Sequence, residues 1–517
     1  MTLGRSLSLA AGSSLLLAGC GVPQQENAAP MAQRAMPNLL IIYADDLGYG
    51  DLAIQNPQAK LTTPNLDQLA REGIRFTDAH ASSAVCTPSR YALLTGNYHW
   101  RRNHGIVGSF DPSYFNPGEY TLPLMLQQAG YHTAAFGKWH LGWDWDAIKQ
   151  PGAEEIGEGR DRYYPADAFD WRQRIPGGPV DLGFDYYFGD DVINFPPYTW
   201  FENDRVIGVP TQQMDFDKTP PKEGRWEARK GPSVADWDPY TVLPTLAEKG
   251  VEYLKQQDGE QPFFMYFSLP SPHAPIIPND EFDGKTQAGA YGDFVYQTDH
   301  VIGQLLDTLE AQGLADNTIV IFSSDNGAEK YMVQRWHKTG HDSSGGLRGM
   351  KRDLWEGGHR VPMIIRWPAQ LNAEQVRDQT ISHVDIMATM AGLIGTKLPE
   401  DAALDSYDLL PLLTGELGDA QLRKGTVQNT WPGVYAIRQG DWLLIDHHTG
   451  SHNPQVPKVY WQLSGTEADD ESTAGHLYNL REDLAQKDNQ YQQHPERVEQ
   501  MKALLQSYID EGRSVTR

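Results

Sequence analysis

Cysteine is almost absent from this sequence. Two stand in 517 residues, Cys20 and Cys86, which excludes a scaffold stapled by several disulfides. Basic charge is also scarce: 43 Lys and Arg face 68 Asp and Glu, for a net charge of −25. That balance excludes nucleic acid as a partner and argues against an acidic membrane surface. An acidic protein can still bind an anion, but it then needs a local cluster of cations. Long apolar runs are missing beyond the N-terminus, so no later segment reads as a membrane helix. What is present suits a large folded chain. Hydrophobic residues make up 40%, enough for a large core, and 14 Trp and 24 Tyr supply rings that fill cores and stack on sugar faces.

The N-terminus reads as a targeting segment. Arg5 precedes an apolar stretch from Leu7 to Leu17, too short to span a bilayer. It ends in Leu17-Ala18-Gly19-Cys20, which resembles a bacterial lipoprotein cleavage site. The expectation is a signal peptide over 1–20, lipidation of Cys20, a flexible tether over 21–36, and an exported protein anchored in the periplasm or at the cell surface. A plain secretory signal cut nearby is the alternative. With Cys20 lipidated, Cys86 has no disulfide partner and needs a reason of its own.

Apolar runs at Leu39–Ala44, Thr133–Phe136, Pro262–Phe267 and Thr318–Phe322 suit strands buried on both faces. Helix signals lie between them, at Asn65–Glu72, Thr121–Gln128 and 294–312, each closed by a glycine. The fold class is therefore α/β, a large, mostly parallel central sheet flanked by helices. Residues 150–240, rich in Gly, Pro, Asp and aromatics, read as long loops over one end of the sheet. After Gly415 the pattern alternates, at Val434–Ile437 and Trp442–Ile445, predicting a smaller subdomain of antiparallel sheet plus a terminal helix over 416–517.

Polar groups follow each buried run: Asp45-Asp46, Gly137-Lys138-Trp139-His140, Ser271-Pro272-His273, and Asp325-Asn326. In parallel α/β sheets such groups gather at the carboxyl edge, where ligands bind. Asp45, Asp46, Asp325 and Asn326 offer oxygen alone, the donor set of a hard cation such as calcium or magnesium. Caps and turns are the ordinary alternative. Cys86 opens a helix-like segment with Pro88 in its first turn, a position that faces free N–H groups and favours an anion.

Cys86-Thr87-Pro88-Ser89-Arg90, followed by Leu94-Thr95-Gly96, resembles the modification sequence of the formylglycine-dependent sulfatases of the alkaline phosphatase superfamily. Asp45-Asp46-Leu47-Gly48, Gly137-Lys138-Trp139-His140-Leu141-Gly142, Pro272-His273-Ala274-Pro275, Asp325-Asn326-Gly327, Arg348-Gly349-Met350-Lys351 and Trp355-Glu356-Gly357-Gly358 resemble further family blocks, in order. The likeness spans about 38 to 415, making 37–415 the expected catalytic domain. It implies that a maturation enzyme converts Cys86 to formylglycine, whose hydrate attacks sulfur and then expels sulfate. It also implies one Ca²⁺ on Asp45, Asp46, Asp325 and Asn326. Arg90 and His140 would orient the hydrate, Lys138 and Lys351 would bind sulfate oxygens, and His273 would protonate the leaving oxygen.

The chain departs from many relatives after Gly183-Phe184-Asp185, where it reads Tyr186-Tyr187-Phe188-Gly189-Asp190-Asp191, and no residue is carried over there. His337, Lys338, His341 and Arg348 are candidate sugar or second-sulfate contacts, and Asn194–Trp200 offers aromatic platforms. The expected substrate is a sulfated carbohydrate. The rivals are a phosphonate or phosphate monoester hydrolase of the same superfamily and a non-catalytic surface lipoprotein that binds sulfated glycans.

Overall fold

The computed structural model describes Met1 and residues 36–158, 162–453, 455–470 and 472–516. The expected leader, Cys20 and the tether lie outside the described residues, Met1 and Met36 aside. An 11-stranded sheet forms the centre. Its middle is built by the expected runs, as Thr318–Ser324, Asn38–Ala44, Phe263–Ser268 and His132–Lys138, side by side and all parallel. Their continuous apolar character has a simple cause. Leu39, Ile41 and Tyr43 enter one core, while Leu40, Ile42 and Ala44 enter another on the opposite face. Each such large side chain stabilises the fold by roughly 1.5–3 kcal/mol on burial.

The helices Pro64–Glu72 and Leu122–Gln128 fall where the glycine stops place them. The long helix Gly289–Ala311 starts ahead of the expected 294, because Tyr291 is drawn into the core and its hydroxyl donates to Asp51 Oδ2 at 2.6 Å. The sheet is mixed at its flanks. Arg360–Arg366 runs antiparallel to both Thr318–Ser324 and Ile74–His80. The 150–240 stretch is not all loop, since Tyr186–Asp191 adds a strand parallel to His132–Lys138.

The second sheet has four antiparallel strands, Thr426–Asn429, Tyr435–Gln439, Trp442–Ile445 and His476–Asn479. Val498, Met501 and Leu505 of the helix Pro495–Asp510 share a core with its Val427, Ile437, Leu444 and Leu477. Among the described residues no helix is long and apolar enough to cross a membrane.

Candidate active site

Parallel register brings the acidic pairs together. Ala44 lies opposite Ser324, so the residues that follow each strand are neighbours. Asp325 N donates to Ala44 O at 3.0 Å, and Asp46 N donates to Asp325 Oδ1 at 3.1 Å. Asn326 Nδ2 donates to Asp46 Oδ1 at 2.7 Å. Asp46 holds φ at +62°, a left-handed value that a non-glycine residue keeps where its surroundings impose it.

Cys86 opens the helix Cys86–Thr95, all of whose side chains are buried. Its Sγ lies 3.6 Å from Asp45 Oδ1 and 3.4 Å from Lys351 Nζ. Burial and the nearby Asp325 push the thiol up to about 12. As an unmodified cysteine it is thus a protonated thiol at neutral pH and a weak nucleophile. Arg90, one turn on, faces the same way. Its Nε and Nη2 donate to Asp325 Oδ2 at 3.1 and 2.8 Å, and Nη1 donates to Ser268 Oγ.

Two lysines complete the cluster. Lys138 Nζ is 2.5 Å from Asp45 Oδ2, and Lys351 Nζ is 2.5 Å from Asp46 Oδ1. Burial alone would raise Asp46, but Lys351 and His273 hold its carboxyl well below the usual range. Burial would lower Lys138, yet Asp45 holds it above the ordinary lysine value. Asp325 is raised, by burial and then by repulsion from Asp45. His273 Nε2 stands 3.7 Å from Asp46 Oδ2, its Nδ1 bonds Ala274 O at 2.6 Å, and burial lowers the ring to about 4. His140 joins through its backbone, whose O accepts from Thr87 Oγ1 at 2.8 Å. Its Nε2 bonds Val107 O at 3.0 Å, while its Nδ1 is buried without a partner among the described residues.

The acids suit a hard divalent ion. Asp45, Asp46 and Cys86 with His273 lie within metal-ligand reach of one another, and Asn326 Oδ1 is a buried acceptor with no donor among the described residues. A second acidic group, Asp78, His80 and Glu356, is also close-set. There Arg360 bridges Asp78 at 2.9 Å and Glu356 at 2.6 Å, and Arg438 sits 2.9 Å from Asp78, so its charge is already neutralised.

The expected substrate contacts fare differently. His341 is fully buried, with Nε2 on Asp51 Oδ1 at 2.7 Å and Nδ1 accepting from Lys60 N at 3.2 Å. Arg348 stacks on Trp355 at 4.0 Å, donates to Gln486 O at 2.9 Å and pairs with Asp469 at 2.7 Å. Both are occupied by internal partners and are not substrate contacts; Arg348 pins the C-terminal sheet instead. His337 and Lys338 are exposed on the helix Met332–Thr339, and no described contact joins them to Asp46 or Cys86. Of the aromatic segment, Phe195 alone meets the site, edge-on to His140 at 5.6 Å. Tyr198 is buried and hydrogen-bonded inward, and Trp200 stacks on Phe188.

Asp190 and Asp191 were not legible as site residues. Asp190 is buried and Asp191 half-buried beside Lys138, and desolvation raises them to about 7 and about 6. Neither oxygen of Asp190 has a hydrogen-bond partner in another of the described residues. The one available signal was the pair of carboxylates ending a strand next to Lys138.

Comparison with known proteins settles the family. The sulfatase family model matches residues 37–396. The chain belongs to the sulfatase family. This sulfatase is 33% identical to the N-acetylgalactosamine-6-O-sulfatase of Bacteroides thetaiotaomicron, over 95% of this chain and 96% of the relative. It is 34% identical to the steryl-sulfatase of Rattus norvegicus, over 74% of this chain and 71% of that one. A solved structure from work on glycosaminoglycan metabolism by Bacteroides thetaiotaomicron superposes with a TM-score of 0.75 at 31% identity, covering 91% of this chain and 99% of its own. The sulfatase is a sulfuric ester hydrolase, with a fold shared by these relatives.

Proposed function

We propose that this sulfatase cleaves sulfate esters on carbohydrate through a formylglycine made from Cys86, with one calcium ion on Asp45, Asp46, Asp325 and Asn326. One observation carries the reading: the Cys86 side chain lies at a buried helix N-terminus, 3.4 Å from Lys351 Nζ and 3.6 Å from Asp45 Oδ1. A thiol raised to about 12 serves poorly there, whereas a hydrated aldehyde offers a hydroxyl to attack sulfur and a second to expel sulfate. Calcium, when bound, supplies Lewis acidity and a sink for negative charge.

The chain's own residues do the rest. Lys138 and Lys351 hold the sulfate oxygens and offset the charge that grows on them. Arg90, locked on Asp325, fixes the helix face that carries residue 86. His140 orients the same group from the far side of Thr87. His273, its Nε2 turned toward Asp46, gives a proton to the departing sugar oxygen, because an alkoxide leaves poorly at neutral pH; burial holds the ring at about 4 before substrate binds, and the anionic ester then favours the imidazolium that can donate. The carbohydrate reading rests on the N-acetylgalactosamine-6-O-sulfatase relative, which nearly the whole chain matches. Maturation enzyme and lipid-anchored export belong to the same proposal, the latter from Leu17-Ala18-Gly19-Cys20.

Mass spectrometry of the tryptic peptide bearing residue 86 tests it. From a host with a maturation system the peptide should weigh less, by the difference between CH₂SH and CHO. Intact cysteine together with full sulfatase turnover would overturn the formylglycine mechanism. Intact cysteine with no turnover on any sulfate ester would favour the non-catalytic lipoprotein.

A further inference from the structure

Beside Asp46 opens a cavity whose rim the sulfate chemistry does not use. Glu329, Tyr331 and Arg225 line it together with Asp46. Arg225 is exposed, with no hydrogen bond or ion pair among the described residues. Arg352 stands over the same rim through Glu329, whose two oxygens accept from its Nη1 at 2.8 and 2.7 Å. Its Nε and Nη2 have no partner among the described residues, and its side chain is 31% exposed.

Arg352 is also fixed relative to the reacting position. It follows Lys351, and its backbone N donates at 2.9 Å to O of Ala84, two residues before Cys86. Its φ of +80° lies in the left-handed region, which costs an ordinary side chain energy unless contacts impose it.

Loops of the C-terminal sheet reach the same place. Thr430 Oγ1 accepts from Ala84 N at 3.3 Å, and Asn453 Nδ2 donates to Lys351 O at 2.7 Å. Next to these anchors the Trp431 and His452 rings stack at 4.6 Å with 20° between planes. Trp431 is half-buried and His452 exposed, so the imidazole presents a flat outer face backed by indole. A flat ring beside cations suits a pyranose that carries an acid. Arg225, with no partner among the described residues, and the Nε–Nη2 edge of Arg352, whose Nη1 is spent on Glu329, leave donors at this rim for an anion.

We propose that Arg352 and Arg225, with the His452–Trp431 stack, form a second subsite. It takes the saccharide unit adjoining the sulfated one and reads an acidic group on it, a uronate carboxylate or a second sulfate. The proposal rests on the sulfatase reading of the neighbouring site. It assigns the acid to the arginines and the ring face to His452.

Two matched pairs of sulfated disaccharides test it. One pair is a uronate-containing disaccharide and its carboxyl-reduced form; the other carries a second sulfate on the adjoining unit or lacks it. Wild type should favour the acidic member of at least one pair in kcat/KM by about tenfold, the scale of one charge-assisted hydrogen bond. The responding pair identifies the acid. In R352Q that ratio should fall toward one, and in R225Q it should fall part of the way. A folding defect lowers both members together and leaves the ratio alone. A ratio near one in wild type, or an undiminished ratio in both variants, overturns the subsite. Turnover of para-nitrophenyl sulfate without turnover of either acidic disaccharide overturns it as well. Failure on every sulfate ester, para-nitrophenyl sulfate included, sinks the underlying reading of the neighbouring site.

Discussion

Lys138 and Asp190 sit close together and are held in opposite ways. Lys138 is buried against Asp45 and stays charged because that carboxylate faces it. Replacing it with Ala removes the donor that the proposed mechanism aims at the sulfate, while Arg90, 3.8 Å from Asp45, still offsets the acid. Lys138→Ala should therefore lose roughly 10²–10³-fold in kcat on para-nitrophenyl sulfate with an unchanged circular dichroism spectrum. Near-wild-type turnover would remove Lys138 from the machinery. Asp190 has no such partner, and burial lifts it from 3.8 to about 7. Unfolded, it ionises near 3.8; folded, it holds its proton until about pH 7. The native state thus carries no penalty at pH 4, a growing one up to pH 7, and a constant one above. Asp190→Asn should stabilise the protein by ~2–4 kcal/mol at pH 8 and by little at pH 4. Urea unfolding at the two pH values measures this; a gain independent of pH would mean the penalty is absent.

At the scale of elements, the strand ends place the chemistry, and tight backbone contacts keep them there. Gly327 follows Asp325-Asn326, and a Cβ on it would lie 1.8 Å from Gly357 O. Gly327→Ala must push apart the turn after Thr318–Ser324 and the segment before Arg360–Arg366. A loss of about 1–3 kcal/mol in urea unfolding is expected, together with a weaker response to calcium. These elements differ in how well the sequence reveals them. The central strands are legible because both faces are buried and every position is apolar. Arg360–Arg366 is not, because it begins and ends in arginine. Those charges are neutralised by Asp78, Glu356, Glu72 and Glu310, most of them distant in sequence. The site behaves in the same way. Asp45, Lys138, Cys86 and Lys351 stand in motifs that resemble family blocks, and it is that resemblance which marks them. His341 and Arg348 mislead because composition cannot separate a cation that meets substrate from one spent on Asp51 or Asp469.

The molecule as a whole is acidic, yet its site is balanced. Asp45, Asp46 and Asp325 face Arg90, Lys138 and Lys351, so three negative side chains meet three positive ones. A divalent cation on these three carboxylates would add two positive charges, offset in part by Asp191, which is raised only to about 6 and so is ionised at neutral pH. That excess draws in an anionic ester which the surrounding charge of −25 would otherwise repel. On the proposed assignment the ion would bind only the folded arrangement, because its ligands would come from strand ends separated by 279 positions in the case of Asp46 and Asp325. An unfolded chain cannot gather them, so binding must stabilise the native state by mass action. At a calcium concentration a hundred times the dissociation constant the gain is ~2.7 kcal/mol. The thermal midpoint should therefore rise with added calcium and fall on chelation. Magnesium should raise it less, since it demands near-octahedral geometry and parts reluctantly with water. Asn326→Ala, which removes the buried Oδ1 acceptor, should shrink the calcium shift. A midpoint indifferent to calcium, with a cation-free enzyme fully active, would show that the three acids serve the three bases alone.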